Sequence, residues 1–157
     1  MEGASPVSVA LRFPVFHVSD ANSMLLTDDR FNDLCEAFRS TGGVIGAEEL
    51  ASTLQRSHGQ GVGLVARWIV DGHLISFHWR GGYWIPRFQL LPTAEHIAPQ
   101  LPPVLAELPH TSDALSRAEW FADANAALDG ERPCDVLARA PQRVREAARM
   151  LRFAVDG

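Results

Sequence analysis

The sequence predicts an α+β, mostly helical fold: a winged helix-turn-helix-like centre with a β-hairpin, then a small C-terminal helical bundle. Three observations carry this reading. Apolar residues recur at helical spacing in successive stretches. Two short aromatic and β-branched runs meet at Gly81-Gly82, the mark of a hairpin. A proline-rich stretch then separates this centre from a last group of helical patterns.

Taken in order, Val7, Val9, Leu11, Phe13 and Val15 alternate with other residues and predict a strand within an N-terminal arm, residues 1–25. Pro14 confines that strand to an edge, because proline lacks the N–H a ladder needs. Thr27-Asp28-Asp29 is a helix start, with carboxylates at the positive end of the helix dipole. Phe31, Leu34, Cys35 and Phe38 follow at helical spacing until Gly42-Gly43. A second helix is predicted from Ala47 to Gln55, with Leu50, Ala51 and Leu54 inward, before the glycine-rich Ser57–Gly63. The third, Val62 to Val70, carries Val62, Val65 and Ile69 on one stripe and ends on Gly72 as its left-handed cap. Leu74–Trp79 and Tyr83–Ile85 flank the hairpin turn, and Pro86 ends it. Residues 26–91 thus form the predicted winged domain.

Five prolines lie between Leu90 and Pro109, so residues 92–112 read as a linker, with a short helix at Pro103–Leu108. Residues 113–157 read as a bundle: helices from Ala114 to Asp123, from Cys134 to Arg139, and from Pro141 through Phe153. On the last helix Val144, Ala148, Leu151 and Val155 make an apolar stripe, with Arg145, Arg149 and Arg152 on the opposite arc.

The composition narrows the function. Hydrophobic residues make up 46% and charged residues 21%, which fits a globular chain and excludes a disordered one. No stretch approaches 18 apolar residues, so no membrane span is expected. No basic stretch followed by an apolar run opens the sequence, so no secretory signal is expected and the compartment reads as cytoplasm. Cys35 and Cys134 sit in unrelated apolar patterns and read as buried, reduced thiols. All fourteen basic residues are arginine, a bias that fits a GC-rich genome, and the net charge is −5. An acidic chain argues against indiscriminate nucleic-acid binding. Charge is uneven, however: four Arg and three His against Asp71 alone lie between Arg56 and Gln89.

That basic stretch coincides with the helix-turn-helix pattern. Such a motif holds a reader helix in the major groove, with a wing arginine on phosphate. Arg56, His58, Gln60 and Arg67 fall on or before the reader and Arg80 at the wing tip, so these five are the candidate DNA contacts. The alternative is that they are ordinary solvent-facing residues of a protein-binding domain. Trp68, Trp79 and Trp84 read as core and cross-strand packing, in preference to base stacking. The six histidines have no metal-ligand spacing, and no hydrolase or Walker signature is present, so no metal, cofactor or catalytic site is expected. Gly59-Gln-Gly61-Val-Gly63 lacks the strand a phosphate loop follows and reads as a turn.

The C-terminal third has its own grammar. Trp120, Asn125, Leu128, Gly130, Pro133 and Leu137 follow the pattern W-x-x-x-x-N-x-x-L-x-G-x-x-P-x-x-x-L. Asn125 is placed to tie down a loop, Gly130 turns the chain and Pro133 opens a helix. This segment, about residues 115–157, resembles the C-terminal toxin-binding domain of the Xre/MbcA/ParS-type antitoxins. Pro86-Arg-Phe88-Gln89 is similar to the "P-x-F-Q" end of the winged segment in small bacterial proteins carrying that domain. Ala140-Pro141 departs from the glycine often found before the last helix. The resemblance implies a non-enzymatic, antitoxin-like transcriptional regulator. Its six motif residues would bind a RES-domain toxin, and its centre would bind operator DNA, as a homodimer. The alternative is a protein-only adaptor or anti-activator without DNA binding.

Overall fold

A computed structural model describes residues 26–157; the expected strand at Val7–Phe13 and the arm lie outside the described residues. Among the described residues there are seven α-helices and one three-stranded antiparallel sheet, as the α+β, mostly helical reading expects.

Helix α1 spans Asp28–Ala37. Thr27 is extended and its hydroxyl accepts from the Arg30 N–H at 3.1 Å, which satisfies one of the orphan donors of the first turn. Phe31 and Leu34 are buried, and Phe38 is fully so. A 3₁₀ turn at Arg39–Thr41 leads to Gly42, at φ +107°. Strand β1, Val44–Gly46, then runs directly into helix α2, Ala47–His58.

Leu50, Ala51 and Leu54 face the core as expected, but α2 continues one turn past Gln55. Its end is set by Gly59 in the left-handed conformation, whose N–H donates to the Gln55 carbonyl at 3.1 Å. The connection to helix α3, Val62–Val70, is therefore only Gly59-Gln60-Gly61, the length a helix-turn-helix uses. Gly61 is required for another reason: a Cβ there would stand 2.2 Å from the Ala51 carbonyl oxygen. The two helices meet backbone to backbone at that point.

Strands β2, Phe77–Trp79, and β3, Gly82–Pro86, form the hairpin. Trp79 pairs with Gly82, so the loop is Arg80-Gly81 and not Gly81-Gly82. Both loop residues have positive φ, 49° and 77°, the geometry of a type I′ turn, whose twist suits a tight hairpin. Strand β1 pairs with β3 through Ile45↔Ile85, giving the order β1-β3-β2. In the order α1-β1-α2-α3-β2-β3 the hairpin follows α3 along the chain and packs against α2, the helix Ala114–Ala122 and Phe31 of α1. Gln89, fully buried, locks the approach to β2: Ile75 N–H donates to its Oε1 at 2.5 Å. Its Nε2 donates back to the Ile75 carbonyl at 2.8 Å and to the Pro86 carbonyl at 3.1 Å.

The linker expected over 92–112 is packed into the core, and the short helix expected within it at Pro103–Leu108 is present, starting two residues earlier. Leu90 and Ile97 form a β-bridge, and helix α4 spans Leu101–Glu107. Pro102 and Pro103 occupy its first turn, where no N–H is needed. Leu101, Val104, Leu105 and Leu108 are buried, at the helical spacing of a core-facing stripe. Helix α5, Ala114–Ala122, is capped by Asp113, whose carboxylate accepts from Ser116 N–H at 2.7 Å. A 3₁₀ turn at Ala126–Leu128 and the short helix α6, Pro133–Val136, precede helix α7, Pro141–Asp156.

The winged centre and the C-terminal helices share one hydrophobic core running from Phe31 to Ala148. Phe88 stands between Phe38 and Phe121, with ring centroids at 5.6 and 4.9 Å. Polar contacts close the same seam. Arg132 donates to Ser40 Oγ at 2.6 Å and to the Ala37 carbonyl, and Ser40 donates to Asp135 at 3.0 Å. Among the described residues no helix is long and apolar enough to cross a membrane.

Candidate functional site

Two surfaces carry the candidate residues. On the first, around the helix-turn-helix, Arg56, His58, Gln60 and Arg67 are all exposed. Arg56 and His58 belong to the last turn of α2, Gln60 to the turn, and Arg67 to α3. Gly63, Arg67 and Val70 are the exposed residues of α3, so its solvent face carries a single charge. Arg80 does not project freely from the wing. Its guanidinium pairs with Asp28 at 2.6 Å and lies 4.7 Å over the Trp79 ring. Trp79 in turn donates to Asp28 at 3.0 Å and stacks on Phe31 at 3.8 Å. Trp84 packs edge-on against both Phe31 and Trp79, at 5.3 and 6.2 Å, which is the packing role expected of these rings.

The second surface lies at the C-terminal end. Of the six motif residues, Leu128, Pro133 and Leu137 are buried, so their side chains build the module and do not face a partner. Asn125 holds the loop. Its Oδ1 accepts from Ala127 N–H at 2.9 Å, and its carbonyl accepts from Leu128 and Gly130 N–H, each at 2.9 Å. Gly130 sits at φ +86° within that loop. Trp120 alone of the six presents a large apolar side chain to the surface. It is half-buried, edge-on to Phe121 at 4.9 Å, and lines a cleft of about 360 Å³ with Leu108, Pro109, Leu151 and Val155. Arg117 also lines the cleft, donating to Ser112 Oγ at 3.0 Å; burial pulls its pKa down from the usual arginine value.

Helix α7 borders this cleft. Val144 and Ala148 are buried as the apolar stripe predicts, but Leu151 is half-buried and Val155 is 56% exposed. Met150 and Phe153 are exposed at 60% and 63%. The arginines expected on the opposite arc converge on one carboxylate instead. Arg145, Arg149 and Arg152 approach Glu107, the last residue of α4, at 3.4, 2.9 and 2.9 Å. The hydrogen bond from Arg149, with the charges of Arg149, Arg152 and Arg145, holds the Glu107 carboxyl below the usual carboxylate range. Three cations around one anion leave local positive charge beside the apolar end of α7, where Arg152 also lies 5.6 Å over the Phe153 ring. The spacing 145, 149, 152 on one helix showed the arginines in the sequence, but nothing in the sequence singled out Glu107.

A third grouping joins residues remote in sequence. One ligand atom each from His58, Glu95 and His96 lies within 4.8 Å of the others. No sequence spacing announced it, because the fold brings the end of α2 against the turn after the wing. The two cysteines are both shifted toward the protonated thiol. Burial, then the neighbouring Asp135 carboxylate, pushes the Cys134 thiol up to about 11, and burial also raises Cys35. Comparison of the chain with protein-family models, with curated proteins and with solved structures finds no match.

Proposed function

We propose that this chain is a non-enzymatic, antitoxin-like cytoplasmic regulator whose C-terminal module docks a protein partner of the RES-domain toxin class. The observation that carries the reading is the outer face of α7. Met150 and Phe153 are exposed on its last two turns, and Leu151 and Val155 of the same helix line the Trp120 cleft. Adjacent exposed apolar side chains rimmed by charge are what a protein interface requires. The arginine surplus around Glu107 fits a partner with acidic groups beside an apolar contact. The resemblance of Trp120–Leu137 to the antitoxin pattern supplies the partner class.

The test is co-purification and calorimetry with a RES-domain toxin. Phe153→Asp and Met150→Asp leave the core intact and are expected to weaken the complex at least tenfold, about 1.4 kcal/mol each. A complex indifferent to both substitutions, or no complex, overturns the reading.

The winged centre gives the second half of the proposal, operator binding as a homodimer, since two-fold proteins match pseudo-palindromic sites. The three-residue turn between α2 and α3 supports it, with Arg56, Gln60 and Arg67 exposed around that turn. The nearly uncharged solvent face of α3 supports the protein-only alternative instead. Titration with the upstream DNA at several salt concentrations separates the two. Sequence-preferring binding that falls steeply with salt favours readout, and its absence at low salt favours the adaptor.

A further inference from the structure

His58 is the last residue of α2, and Glu95 and His96 are consecutive on the turn between Leu90 and Ile97. The imidazole rings lie 5.2 Å apart and tilted by 54°, so they converge without stacking. Both supports are fixed. The Gly59 cap sets the end of α2. The turn is closed by Leu91 N–H to the His96 carbonyl at 2.9 Å and by Ala98 N–H to the Gln89 carbonyl at 2.8 Å. Within it buried Ala94 sits at φ +58°, a conformation a non-glycine residue keeps only where its surroundings enforce it. That bend brings Glu95 and His96 round to His58.

We propose that His58, Glu95 and His96 form a binding site for a divalent transition cation, zinc foremost. Two imidazoles and one carboxylate are ligands of borderline character. They suit zinc and its neighbours, whereas calcium and magnesium take oxygen alone. The negative end of the α2 dipole at His58 adds to the attraction. Tetrahedral zinc with bonds of about 2.0–2.1 Å needs ligand atoms about 3.3 Å apart; exposed His58 and His96 close that gap by side-chain rotation. Three protein ligands leave a fourth position for water. The ion would tie the residue just before the Gly59–Gly61 turn to the segment that follows the wing, clamping the reader helix's mounting. This site is independent of the partner surface on α7.

The test is calorimetric titration of the full, chelator-stripped chain with zinc sulfate. One zinc per chain is expected, with His58→Ala and His96→Ala each lowering affinity at least tenfold. His73→Ala and His110→Ala, outside the group, are expected to bind as the parent does. The mutated positions are exposed, so the variants should keep the parent circular dichroism, and a change there is controlled by Glu95→Gln, which also weakens binding. Absence of binding at micromolar zinc overturns the site, as does unchanged affinity in the double variant His58→Ala/His96→Ala.

Discussion

Gln89 offers the sharpest test of how the wing is held. It is fully buried, and its amide acts as a surrogate strand for Ile75: Oε1 accepts from the Ile75 N–H and Nε2 donates to the Ile75 carbonyl. Gln89→Leu keeps the volume and removes both bonds, as well as the bond to the Pro86 carbonyl at 3.1 Å. A buried backbone group left without its partner costs about 1–3 kcal/mol. The two Ile75 groups together therefore cost about 2–6 kcal/mol, with the middle near 4, a large share of the roughly 5–15 kcal/mol that stabilises a domain. At roughly 2–4 °C per kcal/mol for a chain of this size, Tm should fall by about 8–16 °C. Gln89→Glu should cost at least as much, since its second oxygen faces the Ile75 and Pro86 carbonyls and its charge is buried. Urea unfolding followed by tryptophan fluorescence and by circular dichroism measures both. A loss under about 1 kcal/mol in Gln89→Leu would refute the argument that this side chain closes the backbone ledger between α3 and the wing.

Three further outcomes are expected. Because the folded Cys134 thiol is pushed up to about 11, the unfolded chain sheds that proton first, near pH 8.5. Stability should therefore fall as pH rises from there toward 11, less so in Cys134→Ala, and alkylation with mass readout at pH 8 should spare native Cys134. Glu107 is shifted the other way: its contribution is present above the unfolded carboxylate value, about 4.3, and is lost as pH falls through the lower folded value. Urea midpoints at pH 3 and pH 7 should accordingly differ less in Glu107→Gln than in the parent. Arg80→Ala should cost under about 1 kcal/mol, as exposed ion pairs do, and should change DNA affinity less than Arg67→Ala in a gel-shift titration.

Much of the fold was legible because local chemistry agreed with the final structure. Thr27-Asp28-Asp29 reads as a helix start and caps one, and Val62–Val70 reads as a helix and is one. The departures have physical causes. Ser57 and His58 are polar and precede glycines, yet α2 keeps them because the Gly59 cap, and not the apolar pattern, decides where it ends. The hairpin turn falls on Arg80-Gly81 because the pairing of β1 and β2 with β3 sets the register, and arginine accepts positive φ there. Proline composition made 92–112 read as a linker, whereas the short helix expected there starts two residues earlier, with Pro102 and Pro103 in its first turn and Leu101, Val104, Leu105 and Leu108 buried in the core. Of the site, Trp120 was legible from a motif whose other members turn out to be framework. The His58–Glu95–His96 grouping was not, since its first two members are 37 positions apart and only tertiary packing joins them.

The shared core also limits how the two ends can influence each other. Phe38 and Phe121 are both fully buried, with Phe88 between them at the seam. Swinging the C-terminal helices away from the winged centre would expose these rings. A phenylalanine buries roughly 150–200 Å², so at about 25 cal/mol per Å² each ring exposed costs about 4–5 kcal/mol. A state that exposes even one is then populated at about one part in a thousand. A partner seated on α7 could draw on that state only with a comparable preference for it. Coupling between the proposed partner site and the proposed DNA site is expected to act through occluded surfaces and not through a hinge. A hinge between modules is the less economical route, because Ser40 would have to part from Arg132 and Asp135 along with the rings.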